Sequence, residues 1–178
     1  MLMVIIGPMF SGKTSFLMKL YKNNVKNNKN TLVINHIFDT RYGNNGMSNH
    51  NRETIGCIKM ENLKDIYKIL NNPESPKYDS ILINEGQFFK DLYNVVYTLL
   101  LGNYNIYVCG LNCDSNMEKF GTILDIIPLA NDIVKLKSKC KLCQKSASFT
   151  KRLINSKEKI IIGHSDIYIP VCRNCFFK

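Results

Sequence analysis

No run of apolar residues in the chain approaches membrane-spanning length, which excludes a transmembrane helix. There is no internal repeat, so a solenoid or propeller is excluded, and no low-complexity linker. Acidic side chains are scarce: 14 Asp and Glu stand against 24 Lys and Arg, for a formal net charge of +10. That imbalance suits an anionic partner, nucleotide or nucleic acid, although the lysines are scattered and form no block. A disulfide framework is also missing. Of the seven cysteines, four fall in two Cys-x-x-Cys pairs, which suits a reducing compartment. The short apolar start runs straight into a glycine-containing motif and does not read as a signal peptide. The expectation is a cytoplasmic protein. With 178 residues, 45% of them hydrophobic, the chain can build one core and a small appendage, and it is not disordered.

What is present starts at the first turn. Gly7-Pro8-Met9-Phe10-Ser11-Gly12-Lys13-Thr14 fits G-x-x-x-x-G-K-[ST], the phosphate-binding loop. Residues 1–6 before it are apolar and read as a buried strand, and residues 15–21 after it carry apolar side chains at helical spacing. The two glycines let the backbone curl so that N–H groups face a phosphate. The helix N-terminus adds partial positive charge. Lys13 is expected to reach the outer phosphates, and the Thr14 hydroxyl to ligate magnesium.

The rest alternates strand and helix. Residues 31–37 read as a second strand, which with the first strand and helix makes a right-handed βαβ unit and a parallel sheet. Residues 38–53 form a long polar loop carrying Asp39, Arg41, His50 and Arg52, and loops of that length are usually functional. Residues 54–59 suggest a short strand, and 62–71 a helix with Asn62 as its cap, ended by Pro73 and Pro76. Strands follow at 79–84, 104–109 and 133–136, a helix at 88–101, and an irregular stretch at 111–122; residues 126–129 are placed over the site. The fold class expected is α/β: a P-loop parallel sheet with helices on both faces over residues 1–137, plus a small zinc-clipped unit over 138–178.

That second unit is marked by Cys140-Lys141-Leu142-Cys143 and Cys172-Arg173-Asn174-Cys175. Two such knuckles supply four thiolates for a tetrahedral zinc, with the segment between them a loop clipped at its base. Cys57, Cys109 and Cys113 read as small buried apolar residues. The 79–84 strand ends at Asn84-Glu85-Gly86-Gln87, on the sheet edge where open α/β sheets bind ligands. Most P-loop proteins have an Asp at the position of Asn84, holding a magnesium-bound water. Glu85 is a carboxylate able to take a proton from an attacking hydroxyl, and phosphoryl transfer asks little beyond positioning, charge neutralisation and a base.

These stretches together resemble the type II thymidine kinases, cellular and viral. The resemblance lies in the Gly7–Lys13 wording, Asp39-Thr40-Arg41-Tyr42, Glu85-Gly86-Gln87-Phe88-Phe89, Phe120-Gly121, Pro128-Leu129-Ala130, Thr150-Lys151-Arg152-Leu153 and both cysteine pairs, nearly the whole chain in order. It implies transfer of the γ-phosphate of Mg²⁺·ATP to the thymidine 5′-hydroxyl, with Glu85 as base. The phosphate site would comprise residues 7–14 with Asp39, Arg41, Asn84 and Gln87. Met9, Phe88, Leu111, Phe120 and Thr150 would line the thymine pocket. Ile161, Gly163 and Tyr168 would lie on a lasso that holds the base largely through main-chain groups. The family's structural zinc, homotetramer and feedback inhibition by thymidine triphosphate are implied as well. Three positions depart from the family: Asn84 replaces Asp, Ser115 replaces an aromatic residue of the cellular enzymes, and His164-Ser165 replace small residues.

Two other readings make different predictions. In a nucleotide-hydrolysing switch, Glu85 would activate water and no acceptor would exist. A nucleic-acid module would interleave basic and aromatic residues on one face. The tail carries Lys151, Arg152, Lys157, Lys159 and Arg173 but also the apolar residues 160–162, which suit a loop lying on a ligand. No nucleic-acid partner is expected.

Overall fold

The structure, a computed structural model, describes residues 1–39, 46–49, 51, 53–155, 158, 161–163 and 165–178. Its elements in chain order are β1 (Leu2–Ile6), α1 (Lys13–Lys26), β2 (Thr31–His36), β3 (Gly46–Ser48), β4 (Thr54–Gly56), β5 (Ile58–Met60), α2 (Ile66–Leu70), β6 (Ser80–Ile83), α3 (Leu92–Leu101), β7 (Asn105–Gly110), β8 (Asp132–Lys135), β9 (Ser138–Lys139), β10 (Ser146–Ala147), β11 (Phe149–Arg152), β12 (Tyr168–Val171) and α4 (Arg173–Phe176). Short 3₁₀ segments cover Leu63–Asp65, Gly86–Phe88 and Ile123–Leu129.

Six strands form one all-parallel sheet in the order β5-β2-β6-β7-β1-β8. Its four central strands, β2, β6, β7 and β1, are largely apolar on both sides, as a sheet covered on both faces requires, while the edge strands β5 and β8 are partly exposed. Successive side chains alternate. Leu2, Val4, Ile6, Leu32, Ile34, Ile81, Ile83, Ile106 and Val108 face a core completed by α2, α3 and the Ile123–Leu129 turn. Ile5, Val33, Leu82 and Cys109 face the opposite core, with Leu17 and Met18 of α1 and with Met47 and Ile55 of the β3–β4 hairpin. Because every strand runs the same way, β1, β2, β6 and β7 deliver residues 7, 37, 84 and 111 to a single edge.

Several local readings change. Residues 54–59 are two strands: β4 pairs antiparallel with β3, and β5 adds to the sheet edge beside β2. Asn62 makes no side-chain cap; the Asp91 carboxylate accepts from the N–H groups of Leu63 and Lys64 at 3.1 and 2.8 Å. The cap comes from a residue distant in sequence, which a local pattern does not register. Residues 126–129 do not cover the site: Ile126 is fully buried in the core beneath the sheet. The strand expected at 133–136 is β8, and its parallel pairing with β1 closes the sheet.

Beyond β8 the chain makes two small antiparallel pairs, β9–β10 and β11–β12, around a core of Cys140, Ala147, Ile169, Val171 and Cys175. No helix among the described residues is long and apolar enough to cross a membrane.

One backbone contact fixes the wall between core and cleft. Gly121 has φ +60°, and a Cβ there would collide with the Gln87 carbonyl oxygen. A side chain at that φ alone costs roughly 1–2 kcal/mol, and each kcal/mol shifts the midpoint of a domain this size by about 2–4 °C. Gly121→Ala is therefore expected to lower Tm by at least several degrees. Calorimetry of the two proteins checks it, and an unchanged Tm would remove this contact from the account.

Candidate active site

The phosphate loop is built as its glycines demand. Gly12 stands at the N-terminus of α1 with φ +84°. A Cβ at Gly7 would meet the Leu136 carbonyl oxygen at 2.6 Å. No acidic residue occupies the first turn of α1 and no side chain caps it, so its N–H groups remain available to an anion. Lys13 folds back over the loop, its Nζ donating to the Pro8 carbonyl at 2.7 Å. Two hydrogen bonds from the far end of the chain hold the loop open: the Met9 N–H donates to Thr150 Oγ1 and Ser138 Oγ donates to the Phe10 carbonyl, both at 2.9 Å. Phe10 itself sits at φ +62°, a conformation a non-glycine residue keeps only when its surroundings impose it.

The loop floors a cleft of about 130 Å³, open to solvent. The cleft gathers Met9, Phe10, Ser11, Gly12, Lys13, Thr14, Asp39, Glu85, Gln87, Phe88, Leu111, Phe120, Thr150, Ile161, Gly163 and Tyr168. Gly7, Pro8 and Asn84 lie behind its surface, and Arg41 falls outside the described residues. The hydroxyls of Ser11 and Ser48 are buried with no hydrogen-bond partner among the described residues. Both residues line the cleft, and such orphaned donors suit a bound group rich in acceptors.

Glu85 is presented by strained backbone. It has φ 55° and ψ 40° and turns the chain from β6 into the Gly86–Phe88 turn. Its Oε2 accepts from Gln87 Nε2 at 2.7 Å, while Gln87 Oε1 accepts from the Leu111 N–H at 2.9 Å. Gln87 is thus a bracket between the carboxylate and the end of β7. Gly110 and Gly121 leave room for it, since a Cβ at either would strike Gln87 atoms. Gln87, which the resemblance groups with the phosphate site, lines the cleft, and its amide holds Glu85 and the Leu111 N–H.

The opposite wall is aromatic. Phe88 meets Phe120 at 5.5 Å and Phe38 at 5.4 Å, both edge-on. His36 packs behind them, and burial holds its pKa below the ordinary 6.5, so it is neutral at pH 7. Tyr168 donates from its hydroxyl to the Ile161 carbonyl at 2.9 Å, and both residues line the cleft. A flat apolar slot beside a carboxylate suits a planar heterocycle with a hydroxylated arm. Sequence reasoning did not single out Ser48, Asn49, Phe38 or Asp114 as lining residues. The first three sit in the long polar loop, residues 38–53, already marked by its length.

The Sγ atoms of Cys140, Cys143, Cys172 and Cys175 lie within 4.8 Å of one another, and Cys143 and Cys172 are 3.6 Å apart. A tetrahedral zinc with bonds of ~2.3 Å has sulfur–sulfur edges of about 3.8 Å, so the cluster fits that ion. The thiols do not ionise alike. Burial opposes ionisation of Cys140, yet backbone N–H groups of Cys172, Cys143 and Leu142 bring it down to about 6. Hydrogen bonding to Cys143 and Cys172 pushes Cys175 up to about 12. Four sulfurs this close cannot all become thiolates without a cation among them. At the other end, the Asp39 carboxylate and the Thr14 hydroxyl offer the oxygen donors a magnesium ion prefers.

A family model described as thymidine kinase matches residues 1–176. The chain is 39% identical over 180 residues to a thymidine kinase of Amsacta moorei entomopoxvirus, covering 97% of this chain and 96% of that one. It is 36% identical to the cytosolic thymidine kinase of Gallus gallus, covering 98% and 76%. A thymidine kinase of Mycoplasma mobile matches at 32%, covering 98% and 86%. With a P-loop, a bracketed carboxylate and an aromatic slot on one sheet edge, and with matches running nearly end to end, the chain belongs to the thymidine kinase family.

Proposed function

We propose that the chain transfers the γ-phosphoryl group of ATP to the 5′-hydroxyl of thymidine. The observation that supports this most directly is the Glu85 carboxylate, fixed by Gln87 and facing the same cleft as the phosphate loop. In this reading the thymine ring enters between Phe88 and Phe120, beside Met9, Leu111 and Thr150, and main-chain groups at Ile161 and Gly163 close over it. Glu85 accepts the 5′-hydroxyl proton as the O5′–Pγ bond forms. The bond from Pγ to the bridging oxygen breaks, and its electron pair leaves with ADP. The N–H groups of residues 10–14 and the Lys13 ammonium meet the charge spread over the phosphoryl oxygens. Asp39 and Thr14 would hold the magnesium ion that enters with ATP, and that ion would supply charge neutralisation at the phosphates. Arg41 would join Asp39 near the transferred group.

Residues 1–137 would serve as the kinase domain and 138–178 as the lasso closing over the nucleoside, clipped by zinc on the four cysteines. The family pattern extends this to a cytoplasmic homotetramer with thymidine triphosphate as feedback ligand.

Replacing the base tests the reaction. Glu85→Gln is expected to lower kcat by at least ~10²-fold with ATP affinity little changed. Full activity in this variant, measured with thymidine and ATP, would overturn the assignment of Glu85. Metal removal tests the clip. Stripping the purified protein with a chelator, or Cys172→Ser, is expected to raise the thymidine KM before the ATP KM, because the lasso loosens first. Elemental analysis should find one zinc per chain in the untreated protein. An unchanged thymidine KM after the metal is gone would separate the cysteine cluster from nucleoside binding.

A further inference from the structure

Strands β2, β6 and β7 bring a polar residue each into one row of the sheet, beside Lys59 of β5, whose Nζ donates to the Asp39 main-chain carbonyl at 2.8 Å. Asn35 on β2, Asn84 just past β6 and Cys109 on β7 lie one step beyond the rung Ile34–Ile83–Val108, on the face covered by α1. Their fractional exposures are 0%, 1% and 1%. Asparagine is disfavoured in strands, and a buried amide is costly unless satisfied. Here the row is satisfied end to end. Cys109 Sγ donates to Asn84 Oδ1 at 2.9 Å, Asn84 Nδ2 donates to Asn35 Oδ1 at 3.0 Å, and Asn35 Nδ2 donates to Asp39 Oδ2 at 3.0 Å. Asp39 lines the same cleft as the phosphate loop and is itself 7% exposed.

The direction of this chain follows from its end. An ionised carboxylate only accepts hydrogen bonds. Asn35 must therefore turn its NH₂ to Asp39, which leaves its oxygen for Asn84. Asn84 must then turn its NH₂ to Asn35, which leaves its own oxygen for a donor, and Cys109 is that donor. Reversing any one amide would set two acceptors face to face in a buried site.

We propose that Cys109, Asn84 and Asn35 form a one-way hydrogen-bond relay that positions the Asp39 carboxylate and so sets the affinity for the divalent cation bound with ATP. The proposal rests on the reading that Asp39 serves that cation. Asn84 is then a positioning residue behind the cleft. Its place at the strand end suggests that an aspartate there would improve metal binding; the relay reverses that expectation. A carboxylate at position 84 would face the oxygen of Asn35, and Asn35 could relieve it only by turning its oxygen on Asp39.

The test measures Mn²⁺ binding in the presence of ATP by electron paramagnetic resonance, alongside the Mg²⁺ dependence of phosphoryl transfer. Asn84→Asp and Asn35→Leu are expected to weaken Mn²⁺ binding by roughly 10–100-fold, the range for losing a partner behind a metal ligand. The thymidine KM should stay near that of the unaltered protein. Cys109→Ser keeps a donor and is expected closer to the unaltered protein than Cys109→Ala. A merely structural role would lower Tm without moving the Mn²⁺ constant. If Asn35→Leu does not fold, Asn84→Asp and the Cys109 pair still decide. Folded Asn84→Asp that binds Mn²⁺ as tightly as the unaltered protein, or more tightly, overturns the relay. So does Asp39→Asn with an unchanged constant, since nothing would then be positioned. Absence of phosphate transfer to thymidine in the unaltered protein would instead overturn the proposed reaction, while the Mn²⁺ measurement would still report on the relay.

Discussion

A phosphate group brings concentrated negative charge to a place where the protein must offer donors that are already aimed. Backbone N–H groups do this only if the loop is prevented from satisfying them internally. In this chain the prevention comes from afar. Thr150 and Ser138 take up the backbone of Met9 and Phe10, more than a hundred residues away in sequence. Phe10 stays in a left-handed conformation, and the first turn of α1 is left without a cap. The strain at Phe10 and at Glu85 lies on the two sides of one cleft, as expected where function dictates geometry against local preference.

Much of the fold was legible because the strands announce themselves. β1, β2, β6 and β7 are short, almost wholly apolar and bounded by polar turns, the pattern a doubly covered parallel sheet imposes. The cleft was legible from Gly7–Thr14 and Glu85, whose spacing has a mechanical reason. The cysteine cluster was legible for the same kind of reason, since four ligands need two rigid knuckles. What escaped was long-range or nonperiodic. The β3–β4 hairpin has only three residues in each strand and is packed through Met47 and Ile55, too little for a pattern. The Asp91 cap depends on a residue that becomes a neighbour only on folding.

Side-chain roles were less legible than side-chain positions. Gln87 sits where the motif puts it, yet its amide is spent on holding Glu85 and Leu111. Cys109 has the burial of a small apolar residue, as its sequence context implies, but its thiol donates to Asn84. Type and burial follow from pattern. Which lone pair meets which hydrogen follows only from the three-dimensional surroundings, and in a buried row those surroundings allow one answer.

The Met9–Thr150 contact has a further consequence for how the chain divides. By composition the boundary falls at residue 138, and a cut there would look clean. Yet the segment beyond it supplies the partners of two loop residues near the start, so a fragment ending at 137 would keep the phosphate motif and lose what holds it open. The reverse also applies. Thr150 lies on β11, which pairs with β12, so the loop is tied to the sheet that the cysteine cluster supports. The two halves are separable on paper and share a hinge pin in the molecule, and neither can be exchanged for a relative's without carrying its half of the pin along.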